Sequence, residues 1–148
     1  MSGEVAAPPA PASALQWTLP RGWTATLVGG MRYATLKPPV AGRIDVSVVV
    51  LPGPAGGELA NVNRWRGQLG LGAIDEPALT SVRQAVQTKA GPLSVSDFTS
   101  EGEKKSRMVA GLAFFDGNSW FVKMIGDAGA IAAARADFIH LLQGLHFD

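Results

Sequence analysis

Leu59, Val62, Trp65 and Leu69 recur at intervals of three and four, which sets them on one side of a 3.6-residue turn and predicts an amphipathic helix whose apolar side faces a sheet. Ahead of it, Pro52-Gly53-Pro54-Ala55-Gly56-Gly57 cannot continue a strand and leaves flexible backbone for the turn into the helix. Behind it, Gly70 and Gly72 are natural stop positions, because glycine takes a left-handed cap without steric cost. At about 100° per residue, Asn61, Arg64 and Gln68 project opposite the apolar stripe, whereas Arg66 falls inside it, between Leu59 and Val62. Two accounts of Arg66 stand: its stem lies over the sheet edge and its guanidinium reaches water, or it is buried and paired with Asp45 or Asp75. Trp65 is expected in the core, as a tryptophan at helical spacing usually is.

On both sides of this helix the period changes to two. Residues 24–28 and 31–36 flank Gly29-Gly30 and read as a tight hairpin. Within 43–51, Ile44, Val46, Val48 and Val50 alternate with Asp45, Ser47, Val49 and Leu51, so one face is wholly apolar and the other becomes so, the mark of an interior strand. Residues 74–86 mix helical spacing with Pro77 and β-branched content, and predict a short helical turn near Pro77 and a strand near Val86. A strand follows over 93–98, then a charged, solvated turn over 102–106. Residues 108–115 and 120–125 are two apolar strands around Asp116-Gly117-Asn118-Ser119, expected as a hairpin at the centre of the sheet. From Asp127, a usable N-cap, a closing helix places Ile131, Ala134, Phe138, Leu141 and Leu142 on one face and ends at Gly144. Strand group, helix, strand group, helix is the order of an α+β domain, an antiparallel sheet flanked by two main helices as an α/β/α sandwich.

The totals narrow the chemistry more than the fold. With 148 residues, 13 basic and 12 acidic, the chain is of single-domain length and its charge of +1 offers no general attraction to nucleic acid or to an anionic membrane. It has no cysteine, which removes disulfides, thiolate catalysis and thiolate metal sites. No apolar run reaches the roughly 18–20 residues that span a bilayer. Residues 1–14, almost all alanine and proline from Ala6 onward, are expected to form a disordered tether ahead of one domain at 15–148. Such a tether suits display in the cell envelope behind an export signal or lipid anchor, the alternative being the free N-terminus of a cytoplasmic protein.

Catalytic constellations are missing from the sequence. Both histidines, His140 and His146, lie near the C-terminus and no G-x-S-x-G elbow accompanies them. Asp137 and His140 sit three apart on one helix, a pair short of a third metal ligand. The glycines at 53–57 precede a helix without the spacing of a phosphate loop. Asp45, Asp75, Glu76, Asp97, Asp116 and Asp127 are available for a paired-carboxylate site, but spacing brings no two of them together. No cofactor, metal or catalytic residue is therefore expected.

The segments Trp17-x-Leu19-Pro20-x-Gly22-Trp23, Met31-Arg32-Tyr33-Ala34-Thr35, Asp45-Val46-Ser47-Val48, Asn61-Val62-Asn63-Arg64-Trp65-Arg66 and Trp120-Phe121-Val122-Lys123, with the final helix, resemble a group of bacterial envelope proteins and lipoproteins. Their layout is similar to the PsbP-like superfamily, to which the photosystem subunit PsbP and the Ran-binding protein Mog belong. The resemblance covers the chain from about Trp17 onward and implies the fold. It also implies a domain that works by binding another protein. The neighbouring angles of Asn63 and Arg66 on the helical projection make the rim of the first helix the candidate partner surface. The competing expectation is a small-molecule or enzyme site between that helix and the sheet.

Overall fold

In a computed structural model, which describes residues 15–29 and 32–147, the chain forms two sheets and three helices. The proposed tether, 1–14, lies outside the described residues. Strand β1 is Leu15–Gln16, β2 Thr24–Leu27, β3 Arg32–Lys37 and β4 Ile44–Pro52. Helices α1 (Glu58–Gln68) and α2 (Glu76–Val82) follow, then β5 (Gln84–Thr88), β6 (Gly91–Thr99), β7 (Ser106–Phe115) and β8 (Asn118–Asp127). Helix α3 (Ala128–Gln143) leads to β9 (His146–Phe147). The main sheet has the order β2-β3-β4-β8-β7-β6-β5, every neighbouring pair antiparallel, and β1 pairs with β9 beside it.

Two meanders make this sheet. The first runs β2-β3-β4 outward from one edge; α1 and α2 then carry the chain to the opposite edge, and β5-β6-β7-β8 returns to pair with β4. The β7–β8 hairpin turns on two residues, Asp116 (φ 53°) and Gly117 (φ 78°). Positive φ at both matches the twist of a two-residue hairpin turn. The turn is thus tighter than the four residues expected: Asn118 and Ser119 belong to β8 and are buried, the Ser119 hydroxyl donating to the Gly53 carbonyl at 2.6 Å.

Side-chain alternation sorts the central strands into two layers of core. Val46, Val48 and Val50 of β4, with Trp120, Val122 and Met124 of β8, face α3 and meet Ile131, Ala134, Phe138 and Leu141. On the opposite face Val49, Leu51, Met108, Ala110 and Phe121 meet Val62 and Trp65 of α1 and Leu79 of α2. The expected α/β/α sandwich is the observed architecture. Trp65 is 1% exposed and packs edge-on against Phe121, ring centres 5.6 Å apart.

The helix ends follow local chemistry. Gly70 (φ 73°) closes α1: its N–H donates to Gly67 and that of Leu71 to Arg66, the paired bonds of a Schellman cap. Asp75 caps α2 by accepting from the Ala78 amide at 3.0 Å. Asp127 occupies the N-cap position of α3, but its carboxylate makes no cap bond. It accepts instead from the Arg43 amide at 2.9 Å, so its task is to hold the start of β4 rather than the helix. Asn61 also departs from the helical projection: it is 3% exposed, because the loop at 53–57 folds over that side of α1. Its amide donates to the Ala55 and Gly57 carbonyls and its oxygen accepts from Arg64 at 2.8 Å.

Two groups of ion pairs fasten the helices. On the α3 side Asp97 accepts from Arg107 at 2.7 and 2.8 Å and from Arg135 of α3 at 2.8 Å. Burial pushes this carboxyl upward, yet the two guanidinium groups outweigh it and hold it below its ordinary value of 3.8. On the other side Glu58 joins α1 to Arg83 and Ser94.

Trp65→Ala should cost roughly 3–5 kcal/mol, as emptying a large aromatic core site does, in a denaturant melt without any ligand; a change under about 1 kcal/mol would place Trp65 outside the core. Asp97→Asn should cost about 1 kcal/mol at neutral pH, a charged hydrogen-bond loss discounted for partial exposure. Because the folded pKa is depressed, the Asp97 contribution is complete above the unfolded value and is lost as pH falls through the folded one. The melting difference between Asp97→Asn and wild type should therefore vanish in acid below 3.8.

Candidate functional site

The rim of α1 carries the two residues expected to meet a partner, and both make local contacts. The Asn63 amide donates to the Ile74 carbonyl at 2.9 Å while its oxygen accepts from the Ile74 N–H at 2.8 Å. Arg66 Nε donates to the Gly72 carbonyl at 2.7 Å, and its guanidinium carbon stands 5.9 Å from the Phe98 ring centre. The pairing of Arg66 with a carboxylate does not occur: Asp45 binds Arg32 and Asp75 caps α2. Arg66 instead lays its stem toward the sheet and spends one donor on the loop that follows its own helix. Asn63 and Arg66 thus act together as struts for residues 70–74.

Beyond α1, the same face of the sheet is polar. Cross-strand register aligns Thr26, Thr35, Ser47, Lys123 and Ala110 in one row across five strands. Arg32, in β3, forms a two-pronged pair with Asp45 at 3.0 and 3.1 Å and donates to the Thr35 hydroxyl at 3.2 Å. Lys123 is half-buried, with its ammonium 5.4 Å from the centre of the Trp65 ring. Burial lowers its pKa from the ordinary lysine value, the charges of Arg64 and Arg32 push the same way, and Asp45 opposes them. Among the described residues no carboxylate forms an ion pair with Lys123 or Arg64. Sequence reading passed over Lys123 although a signal existed: it is the one cation in the ten residues of β8, at a position whose strand neighbours are apolar.

The fold has counterparts among solved structures. A protein from Bacteroides thetaiotaomicron VPI-5482 is similar at 10% identity and TM-score 0.55 over 90% of this chain, which spans 45% of the length of that one. LpqN of Mycobacterium tuberculosis, involved in cell envelope biogenesis, is similar at 9% identity and TM-score 0.50, with 93% of this chain and 86% of LpqN covered. The solution structure of cyanobacterial PsbP (CyanoP) from Synechocystis sp. PCC 6803 is similar at 14% identity and TM-score 0.48, with 93% and 94% covered. The likeness to the Bacteroides protein and to LpqN is one of fold. No protein-family model and no curated protein matches the chain.

Concavities lie away from α1. An open cleft of about 520 Å³ lies between the segment after β1 and the end of α3, with Thr18, Arg21, Lys89, Asp137, His140 and Gln143 on its walls. A second, of about 510 Å³, lies over β5, β6 and β7 beside the exposed Phe114. The space between α1 and the sheet, where the competing expectation put a small-molecule or enzyme site, is filled by Val62, Trp65, Phe121 and their neighbours. Among the described residues no three histidine or carboxylate side chains converge as a metal site. Four of the six carboxylates considered from the sequence have separate tasks: Asp45 with Arg32, Asp75 at a cap, Asp97 with two arginines and Asp127 with Arg43.

Among the described residues nothing covers the first edge of the sheet. All four residues of β2 are exposed, Leu27 is 72% and Val28 40% exposed, and β2 pairs there with β3 alone. No helix among the described residues is long and apolar enough to cross a membrane.

Asn63→Ala should destabilise the fold by about 1–3 kcal/mol, since it leaves the Ile74 backbone groups without their partner, while Arg66→Ala should cost under about 1 kcal/mol because its head is solvated. Hydrogen exchange at residues 70–74 checks the local assignment: protection should fall in Asn63→Ala and change little elsewhere.

Proposed function

We propose that the chain is a non-enzymatic protein-binding domain that works in the bacterial cell envelope, and that it takes hold of its partner along the edge of β2. The observation that carries this reading is the character of that edge. Natural sheets blunt exposed edges with lysine, proline, bulges or a covering element, because unpaired N–H and C=O groups recruit other chains. Strand β2, Thr-Ala-Thr-Leu, carries neither charge nor proline, and Leu27 and Val28 stand exposed at its end. An extended partner segment added there would gain main-chain hydrogen bonds and apolar contacts together. The envelope setting draws support from the likeness to LpqN and from the alanine- and proline-rich start of the chain. On this reading Asn63 and Arg66 are a second, polar contact on the α1 rim, and their bonds to residues 70–74 would hold that contact in shape.

A specific observation favours one alternative, a small-molecule site. It is the open cleft of about 520 Å³ beside Asp137 and His140, which has the dimensions of a ligand pocket.

Leu27→Lys supplies the charge that protected edges carry and should leave stability within about 0.5 kcal/mol, as surface changes do. In cross-linking and affinity capture from envelope fractions, the wild-type chain should retain a defined partner that Leu27→Lys loses. Retention of that partner by Leu27→Lys, with loss on Asp137→Ala or His140→Ala, would move the function to the cleft.

A further inference from the structure

We infer that Lys123 of β8 and Arg64 of α1 form a binding site for an oxyanion, a carboxylate or phosphate group, on the sheet face between α1 and β3. The inference is independent of the partner edge, since it concerns different strands and a different chemistry.

Consider how the charges are distributed. The molecule as a whole is nearly neutral, at +1. Its ion pairs employ Arg32, Arg43, Arg83, Arg107 and Arg135, each with a carboxylate. Lys123 and Arg64 receive none among the described residues, although they lie on the same side of the sheet. Arg64 neighbours Trp65 in α1, and the ammonium of Lys123 is 5.4 Å from the Trp65 ring centre. A lysine in an exposed turn, such as Lys104 or Lys105, finds its counter-ion in solvent. Lys123 is half-buried in the middle of a strand, where its charge is less screened than that of a surface lysine, and an anion held between it and the exposed Arg64 would relieve it.

The surroundings prepare the two cations for this role. Asn61 is buried, fixed by the Ala55 and Gly57 carbonyls, and its oxygen accepts from Arg64 Nη2 at 2.8 Å. One edge of that guanidinium is thereby oriented and its other N–H groups are left for a ligand. Lys123 is seated over an aromatic face, which holds an ammonium in place without neutralising it. On the far side Arg32 and Asp45 satisfy each other, so that pair adds little net charge beside the two cations. An acceptor placed between helix and strand would receive N–H donors from Arg64 and from Lys123, the geometry by which oxyanions are held elsewhere.

The test titrates the full chain, at constant ionic strength, with inorganic phosphate and separately with a glutamate-rich peptide, following backbone amide shifts by NMR. Saturable shifts centred on Lys123 and Arg64 are expected with at least one of them. Phosphate alone would identify a small free anion, and the peptide alone an acidic side chain of another protein; either supports the site. Lys123→Met and Arg64→Gln should each weaken binding about tenfold or more, the ratio that one charge-assisted hydrogen bond supports. Lys105→Gln in the solvated turn should leave it unchanged. The melting temperature of Lys123→Met should equal or exceed that of wild type, because the variant removes a half-buried charge and keeps the apolar stem. Absence of saturable shifts with both probes, or equal weakening by Lys105→Gln, would overturn the proposal.

Discussion

The pairing of β4 with β8 is the contact on which the rest depends. Nine consecutive pairs, from Ile44 with Gly126 to Pro52 with Asn118, join the first meander to the last. Both strands are covered by α3 on one face and in part by α1 on the other, so the seam combines ladder hydrogen bonds with burial of Val46, Val48 and Val50 on one side and Val49 and Phe121 on the other. The seam closes tightly at one end: a Cβ on Gly126 would lie 2.1 Å from the Arg43 carbonyl oxygen, so no larger residue fits without moving the backbone. Asp127 then holds Arg43 from the next position. Since β4 and β8 are far apart in the chain, with α1, α2 and three strands between them, the loop-closure cost of their pairing is met by non-local burial.

That topology makes the two edges and the two faces unequal. The return crossing places α1 and α2 over β8, β7 and β6, while the same face of β2 and β3 stays polar, with Thr26, Thr35 and Arg32 upon it. The other face is sealed by α3 and by an aromatic series, Trp17 against Tyr33 and Tyr33 against Trp120, each edge to face. The β1–β9 pair then ties the two ends of the domain together. Among the described residues this leaves open the edge strands, a polar half-face, a cleft beside α3 and a second over β5, β6 and β7, whereas the interior between α1 and the sheet is occupied by packed side chains.

Charged groups divide in the same way. Asp97 and Glu58 are held by arginines from other elements and fasten helices to the sheet. Arg32 and Asp45 satisfy each other across neighbouring strands. Lys123 stands apart, since its seat over Trp65 lowers the cost of the ammonium without cancelling its charge. A strand position that could have carried another apolar residue carries an unpaired cation, and local departures from sequence–structure consistency of this kind concentrate where proteins act.

The sequence by itself determined the two main helices, the longer strands and the class of fold, but not β1 and β9, two residues each, which pair from opposite ends of the domain. Periods of three to four placed α1 and α3, alternation placed β4, and Asp116-Gly117 marked the hairpin, because each signal lies within one short stretch of backbone. It also determined that Arg66 was an anomaly on its helix face, while leaving open how the anomaly was resolved. Only the tertiary structure decided that Asp45 goes to Arg32 and Asp75 to a helix cap, so that Arg66 turns to the Gly72 carbonyl. It likewise buried Asn61, through a loop that no helical projection contains, and drew Lys123 and Arg64 to one face from positions 59 residues apart in the numbering. Partner choice among charges depends on distances across strands and helices. Periodicity reports which side a residue takes within its own element, and nothing about what waits on that side.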